Sequence, residues 1–153
     1  MKRAASQPKD TLRIASCSGF YGDRLSAARE MVEGSPIDVL VGDYLAELTM
    51  AILHHKQQQD KTKGYVGTFL KQLKEIIGLC LERNIKIVTN AGGLNPQGMA
   101  EQVEALLREL DLQGSVAWIE GDNLIPRLDT LRGEGQHLTN LETGIPLHAS
   151  GNQ

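Results

Sequence analysis

The run Ile85–Pro96, IKIVTNAGGLNP, limits the possible fold more than any other stretch. Ile85, Ile87 and Val88, interrupted only by Lys86, form a short aliphatic run of the kind buried on both faces in the middle of a sheet. Thr89–Gly93 breaks that run with small and polar residues. Asn95–Pro96 then opens a helix, with asparagine suited to the cap and proline to the first helical position. Strand, small-residue loop and helix start, in that order, describe the carboxyl end of a strand in an open α/β sheet, where ligands bind. Gly92 and Gly93 let backbone amides approach a bound group, while Asn90 and Asn95 donate and accept hydrogen bonds without adding charge. An ordinary capped turn explains the same residues, so the weight falls on whether the pattern recurs.

It recurs three times. Thr11–Ser16 reads as a first strand, running into GFYGDR and a helix over Leu25–Glu33 that Gly34-Ser35-Pro36 ends. Ile37–Val41 is a second strand, followed by Gly42-Asp43 and a helix over Tyr44–Gln57 with Leu45, Leu48 and Ile52 on one face. After the polar connection Gln57–Lys63, the positions Val66, Phe69, Leu70, Leu73, Ile76, Ile77, Cys80 and Leu81 trace a helical stripe leading to the Ile85 strand. Met99, Val103, Leu106, Leu107 and Leu110 mark another amphipathic helix, and Val116–Ile119 reads as a fourth strand ending in EGDN. Asn123–Arg132 reads as a short helix. Residues 1–10 form a polar leader, 11–132 the α/β domain and 133–153 an irregular tail. Strands alternating with helices predict a three-layer sandwich, Rossmann-like, with a mainly parallel sheet of at least four strands.

Each strand end carries candidate site residues. In the first, Gly19 and Gly22 give an approachable loop, and Asp23 and Arg24 place opposite charges at the helix entrance. There the loop amides, the helix N-terminus and Arg24 would recognise an anion or hydroxyl; helix capping by Asp23, with Arg24 a solvated neighbour, is the alternative. The spacing matches neither the dinucleotide fingerprint nor the P-loop, so no nucleotide cofactor is implied. In the second, Asp43 and Glu47 are four residues apart, which on a helix would bring two carboxylates together for acid and base roles. Cap and first-turn acid is the simpler reading of the same pair. Tyr44 would line a pocket or pack. In the fourth, Glu120 and Asp122 would join Asp43 and Asn90 if the strands are parallel, but no spacing supports a metal site. Cys17 lacks a visible base and reads as a small buried residue, Trp118 as core, and His54-His55 as an exposed end of the second helix.

Composition closes off other classes. A length of 153 residues gives one domain, and a hydrophobic fraction of 41% suffices for a core. The net charge of -3 gives no reason to expect nucleic acid or an anionic membrane as partner. MKRAASQPKD lacks the apolar centre of a signal peptide. Cys17 and Cys80 make neither a disulfide framework nor a zinc site, so a cytoplasmic location is expected.

The segments RIASCSGFYGDR, DVLVGDYLAELT, KIVTNAGGLNP, IEGDNL and HLTNLETG, in that order, resemble the N-terminal part of the acyclic terpene utilisation family. The resemblance covers about Arg13 to Pro146. It implies a setting in the bacterial breakdown of citronellol- and geraniol-type isoprenoids through CoA thioesters, with a small-molecule metabolite as partner and no particular cofactor or reaction. The positions it carries over are Gly19, Gly22, Asp23, Arg24, Asp43, Glu47, Asn90, Gly92, Asn95, Glu120 and Asp122. Family proteins run on past the LETG segment, so this chain is expected to be a shortened member. On that view a second subunit, or a second copy, supplies what is absent. The alternative is a non-catalytic paralogue that binds a partner or a metabolite.

Overall fold

Three short runs of aliphatic and small residues pair as strands: β1 (Ile14–Ser18), β2 (Val39–Gly42) and β3 (Lys86–Thr89). They lie parallel in the order β1-β2-β3. This is a small open parallel sheet within an α/β fold, described here by a computed structural model of residues 11–147. The leader expected over residues 1–10 and the end of the tail, residues 148–153, lie outside the described residues. The chain divides into two compact units, residues 1–119 and 120–153.

In the first unit the sheet is followed around by helices α1 (Ala27–Gly34), α2 (Glu47–Gln59), α3 (Gly67–Glu82) and α4 (Pro96–Glu109). The register sets Ala15 beside Leu40 and Leu40 beside Ile87, which makes one face of the sheet apolar. Against that face pack Ala28 and Val32 of α1 and Ile76 and Cys80 of α3, together with Cys17 and Ile85. A second cluster joins Phe69, Leu73 and Ile77 of α3 to Leu106 and Leu107 of α4, with Tyr44, Leu53, Val66 and Ala91; Ile87 touches both clusters. A sequential strand order with crossovers of one hand sends successive helices to the same side. The other face carries Ile14, Val39, Val41 and Val88, which belong to neither cluster. Ile14 is 61% and Val88 57% exposed.

Several expectations change. Val116–Ile119 forms no strand, and the sheet of the described residues has three strands rather than four or more. A β-rich run becomes a strand only when an edge accepts its backbone hydrogen bonds, and composition cannot show that. Trp118, expected in the core, is 46% exposed. Helix α2 begins at Glu47, not Tyr44, and buries Thr49 and Leu53, while Leu48 is 73% exposed. Its sequence ELTMAILHHKQQQ spreads apolar side chains around much of the circumference, so the pattern selects no unique face.

In the second unit a 3₁₀ turn at Ile125–Arg127 runs into α5 (Leu128–Gly133), as the Asn123–Arg132 reading expected. Beyond it Thr139 and Pro146 form one antiparallel bridge. Asn140 organises the intervening turn, its Oδ1 accepting from the amides of Glu142 and Thr143. Among the described residues no helix is long and apolar enough to cross a membrane.

Candidate functional site

The carboxyl ends of β1, β2 and β3 lie side by side because the strands are parallel, with Ser18 beside Gly42 after a register shift between Ser16 and Ser18, and Gly42 beside Thr89. Beyond them the chain leaves the sheet in three loops, which hold most of the residues singled out from sequence.

At the end of β2, Asp43 through Ala46 are not helical, so the helix-turn spacing expected for Asp43 and Glu47 does not arise. Asp43 is not a cap either; Ala46 holds that position, without a side-chain bond. Instead Asp43 Oδ1 accepts a 2.6 Å hydrogen bond from Asn90 Nδ2 at the end of β3. Asn90 Oδ1 accepts in turn from the Tyr44 amide at 2.9 Å. One carboxamide thus locks two neighbouring loops, and both its polar atoms are assigned by their partners. Glu47 is exposed at the first residue of α2.

Val41, Gly42, Asp43, Val88, Thr89 and Asn90 line an open cleft of about 370 Å³. Its apolar side is the pair Val41–Val88, neighbours in register on the sheet face opposite the two core clusters of the first unit. Its polar end is Asp43 with Asn90. Thr89 Oγ1 is already engaged, donating to the Gly42 carbonyl at 2.8 Å and accepting from the Ala91 amide at 3.0 Å.

The loop after β1 is organised by Asp23. Its carboxylate accepts from the amides of Gly19 at 3.1 Å and Arg24 at 2.8 Å. Those two bonds hold the Asp23 carboxyl below the usual carboxylate range. Gly22 takes a positive φ of 95°, which a side chain would disfavour. Arg24 does not stand free as an anion binder: it forms a 2.8 Å ion pair with Glu30 of α1.

The other candidates serve the fold. Asn95 caps α4, its Oδ1 accepting from Gly98 N at 2.9 Å. Its Nδ2 donates to the carbonyls of Thr62 and Lys63, pinning the connection after α2. Gly93, at φ 54°, has no room for a side chain: a Cβ there would lie 2.4 Å from Leu53 Cδ1 and 2.7 Å from the Gly64 carbonyl oxygen. At Gly92 a Cβ would meet the Cα of Pro96 at 2.8 Å. The two glycines are therefore required by packing, whatever else approaches them. Glu120 and Asp122 are exposed residues of the second unit. The reasoning that set them beside Asp43 rested on a fourth parallel strand, which is not formed. Among the described residues no three His, Cys, Asp or Glu side chains gather as a metal set.

Sequence reasoning missed Gln72. It sits 2% exposed on α3 and accepts a hydrogen bond from the buried hydroxyl of Tyr44. The signal was available: a carboxamide between Phe69 and Leu73 in an otherwise apolar stripe. Cys17, 3% exposed, is a buried thiol whose pKa burial raises, as suits a small core residue.

A family model described as acyclic terpene utilisation family protein AtuA matches residues 12–153. No curated protein and no solved structure matches the chain.

Proposed function

Since the chain belongs to the acyclic terpene utilisation family, we propose that it acts in the breakdown of acyclic isoprenoids and that the cleft at the ends of β2 and β3 receives the substrate. The observation that carries this reading is the polarity of the cleft. Val41 and Val88 make an apolar wall, and the hydrogen-bonded Asp43–Asn90 pair stands at its end. An acyclic isoprenoid has the matching form, a branched hydrocarbon body that gains by leaving water and one oxygen-bearing end.

In this reading Asp43 is the proton acceptor, since the bond from Asn90 engages Oδ1 and leaves Oδ2 to take the proton. Asn90 holds the carboxylate in place. Glu47, outside the cleft lining, is the reserve candidate. An acyl-CoA thioester fits the same arrangement, its carbonyl at the polar end and the bulky carrier extending through the open mouth. Asp43→Asn tests the role. Substrate consumption should fall by about a hundredfold or more, the lower range for a lost general base, with the unfolding midpoint nearly unchanged. Undiminished turnover would remove Asp43 from the mechanism.

The exposed apolar residues on the sheet face opposite the core clusters favour a second component. Ile14 and Val88 stand largely in solvent on a surface that a three-layer sandwich would bury. On this reading the complete assembly carries a further strand and helical layer, from another segment, a second subunit or a second copy. The non-catalytic alternative shares that feature, and the Asp43→Asn assay separates the two.

A further inference from the structure

We propose that Tyr44 and Gln72 couple the loop after β1 to the Asp43–Asn90 pair, which makes Gln72 a positioning residue for a cleft it does not touch. The consequence for ligands rests on the function proposed above; the coupling itself does not.

Gln72 lies on the buried side of α3 beside Phe69, Leu73 and Ile76. A carboxamide at such a place is strongly unfavourable unless both ends are paired. Both are. Oε1 accepts from the Tyr44 hydroxyl, and Nε2 donates to the carbonyls of Arg24 at 3.3 Å and Leu25 at 3.5 Å, where the chain leaves the first loop. Tyr44 carries the connection onward, because its own amide is held by Asn90 Oδ1. A continuous series therefore runs from the Arg24 and Leu25 carbonyls through Gln72, Tyr44 and Asn90 to Asp43.

The tyrosine has little freedom to absorb a displacement. Its ring meets Phe69 edge to face at 5.8 Å between centroids. It also lies so close over Gly42 that a Cβ there would sit 2.6 Å from the ring. Stability alone does not call for this pair, since two apolar residues of similar shape can replace a buried hydrogen-bonded pair at little cost. What apolar residues could not do is hold two carbonyls of one loop and bond them, through Gln72, to the side chain of Tyr44, whose backbone amide Asn90 holds. A shift of the first loop is thereby felt at Asn90.

Hydrogen exchange of the full chain without ligand tests the coupling, comparing wild type, Tyr44→Phe, Gln72→Leu and the double variant. Leu107→Ala, in the α3–α4 cluster, serves as a control for lowered global stability. Tyr44→Phe keeps the ring and should speed exchange about tenfold, the loss expected for one buried hydrogen bond. That change should appear in both segments, 19–25 and 90–93, beyond any change in the control. The double variant should regain stability while both loops stay fast. A rise in one segment only, or no rise beyond the control, would overturn the proposal; Tyr44→Phe alone decides if Gln72→Leu fails to fold. With geraniol as probe, Gln72→Leu should weaken binding about tenfold, and unchanged binding would also count against it. If wild type fails to bind geraniol, the proposed function suffers and the exchange result still decides the coupling.

Discussion

Replacing Asn90 gives two variants whose behaviour can be worked out from the geometry. Asn90→Ala removes both bonds of the carboxamide, the 2.9 Å bond from the Tyr44 amide and the 2.6 Å bond to Asp43. The exposed Asp43 carboxylate regains water, so little is lost there. The Tyr44 amide is partly buried and loses its acceptor, which costs about 1–2 kcal/mol. For a chain of this size that lowers the unfolding midpoint by roughly 2 to 8 °C. Asn90→Asp keeps an acceptor for Tyr44 but sets a second carboxylate against Asp43. At neutral pH the repulsion costs at least about 1 kcal/mol even with water-like screening. The pair then binds a proton more readily when folded than when unfolded, so one folded pKa rises. Its stability is fully present below the unfolded carboxylate pKa of about 4 and is lost as pH rises through the raised folded value. The deficit of Asn90→Asp against wild type should therefore shrink on acidification from pH 7 to pH 4, while that of Asn90→Ala should not. Differential scanning calorimetry across that range makes the comparison. A midpoint for Asn90→Ala within a degree of wild type, with no pH dependence for Asn90→Asp, would refute the reasoning.

Other outcomes follow from the same structure. Gly93→Ala should lose about 2–4 kcal/mol by denaturant titration, because its Cβ meets Leu53 and the Gly64 carbonyl at a positive φ; a neutral result would mean this turn relaxes easily. Asn95→Ala should cost about 1–2 kcal/mol through the lost cap of α4, while Asn95→Asp, which keeps the capping oxygen, should retain part of that stability. Cys80, buried on α3, has its pKa raised from 9.0 to about 11 by burial. A thiol that stays neutral when folded contributes stability fully present below pH 9.0 and lost as pH rises through about 11. Alkaline unfolding over that window should be less steep in Cys80→Ala, and equal steepness would count against it.

The elements read well from sequence where their pattern is local and repeated. The α3 stripe from Phe69 to Cys80 and the Asn95-Pro96 start of α4 follow from helical period and capping chemistry, and both are present. β2 and β3 follow from short aliphatic runs, but β3 is an edge strand of the described sheet, with Val88 57% exposed. It is not the middle strand buried on both faces that the run suggests, because strand order is not written in the run itself. Val116–Ile119 looked the same and forms no strand, because pairing depends on an edge elsewhere in the chain. At the site, the sequence sets Asp43 and Asn90 at the same end of a parallel sheet, but the 2.6 Å bond between them depends on strand order, which no single segment states. Gly92, Gly93 and Asn95 looked like ligand-loop residues because close backbone approach and capping use the same residue types as ligand contact. The neighbours of Gly93 and Asn95, namely Leu53, Gly64 and the Thr62–Lys63 carbonyls, come from some 30 to 40 residues earlier in the chain.

The most direct test of the central claim is the unfolding midpoint of the wild-type chain with acyclic isoprenoid alcohols, their acids and their CoA thioesters, repeated with Val88→Asp. A ligand that binds only the folded state raises the midpoint by mass action. The account predicts a saturable rise with one branched acyclic class, absent in Val88→Asp because a charge would stand on the apolar wall. No rise with any of them, or a rise that Val88→Asp retains in full, would contradict it.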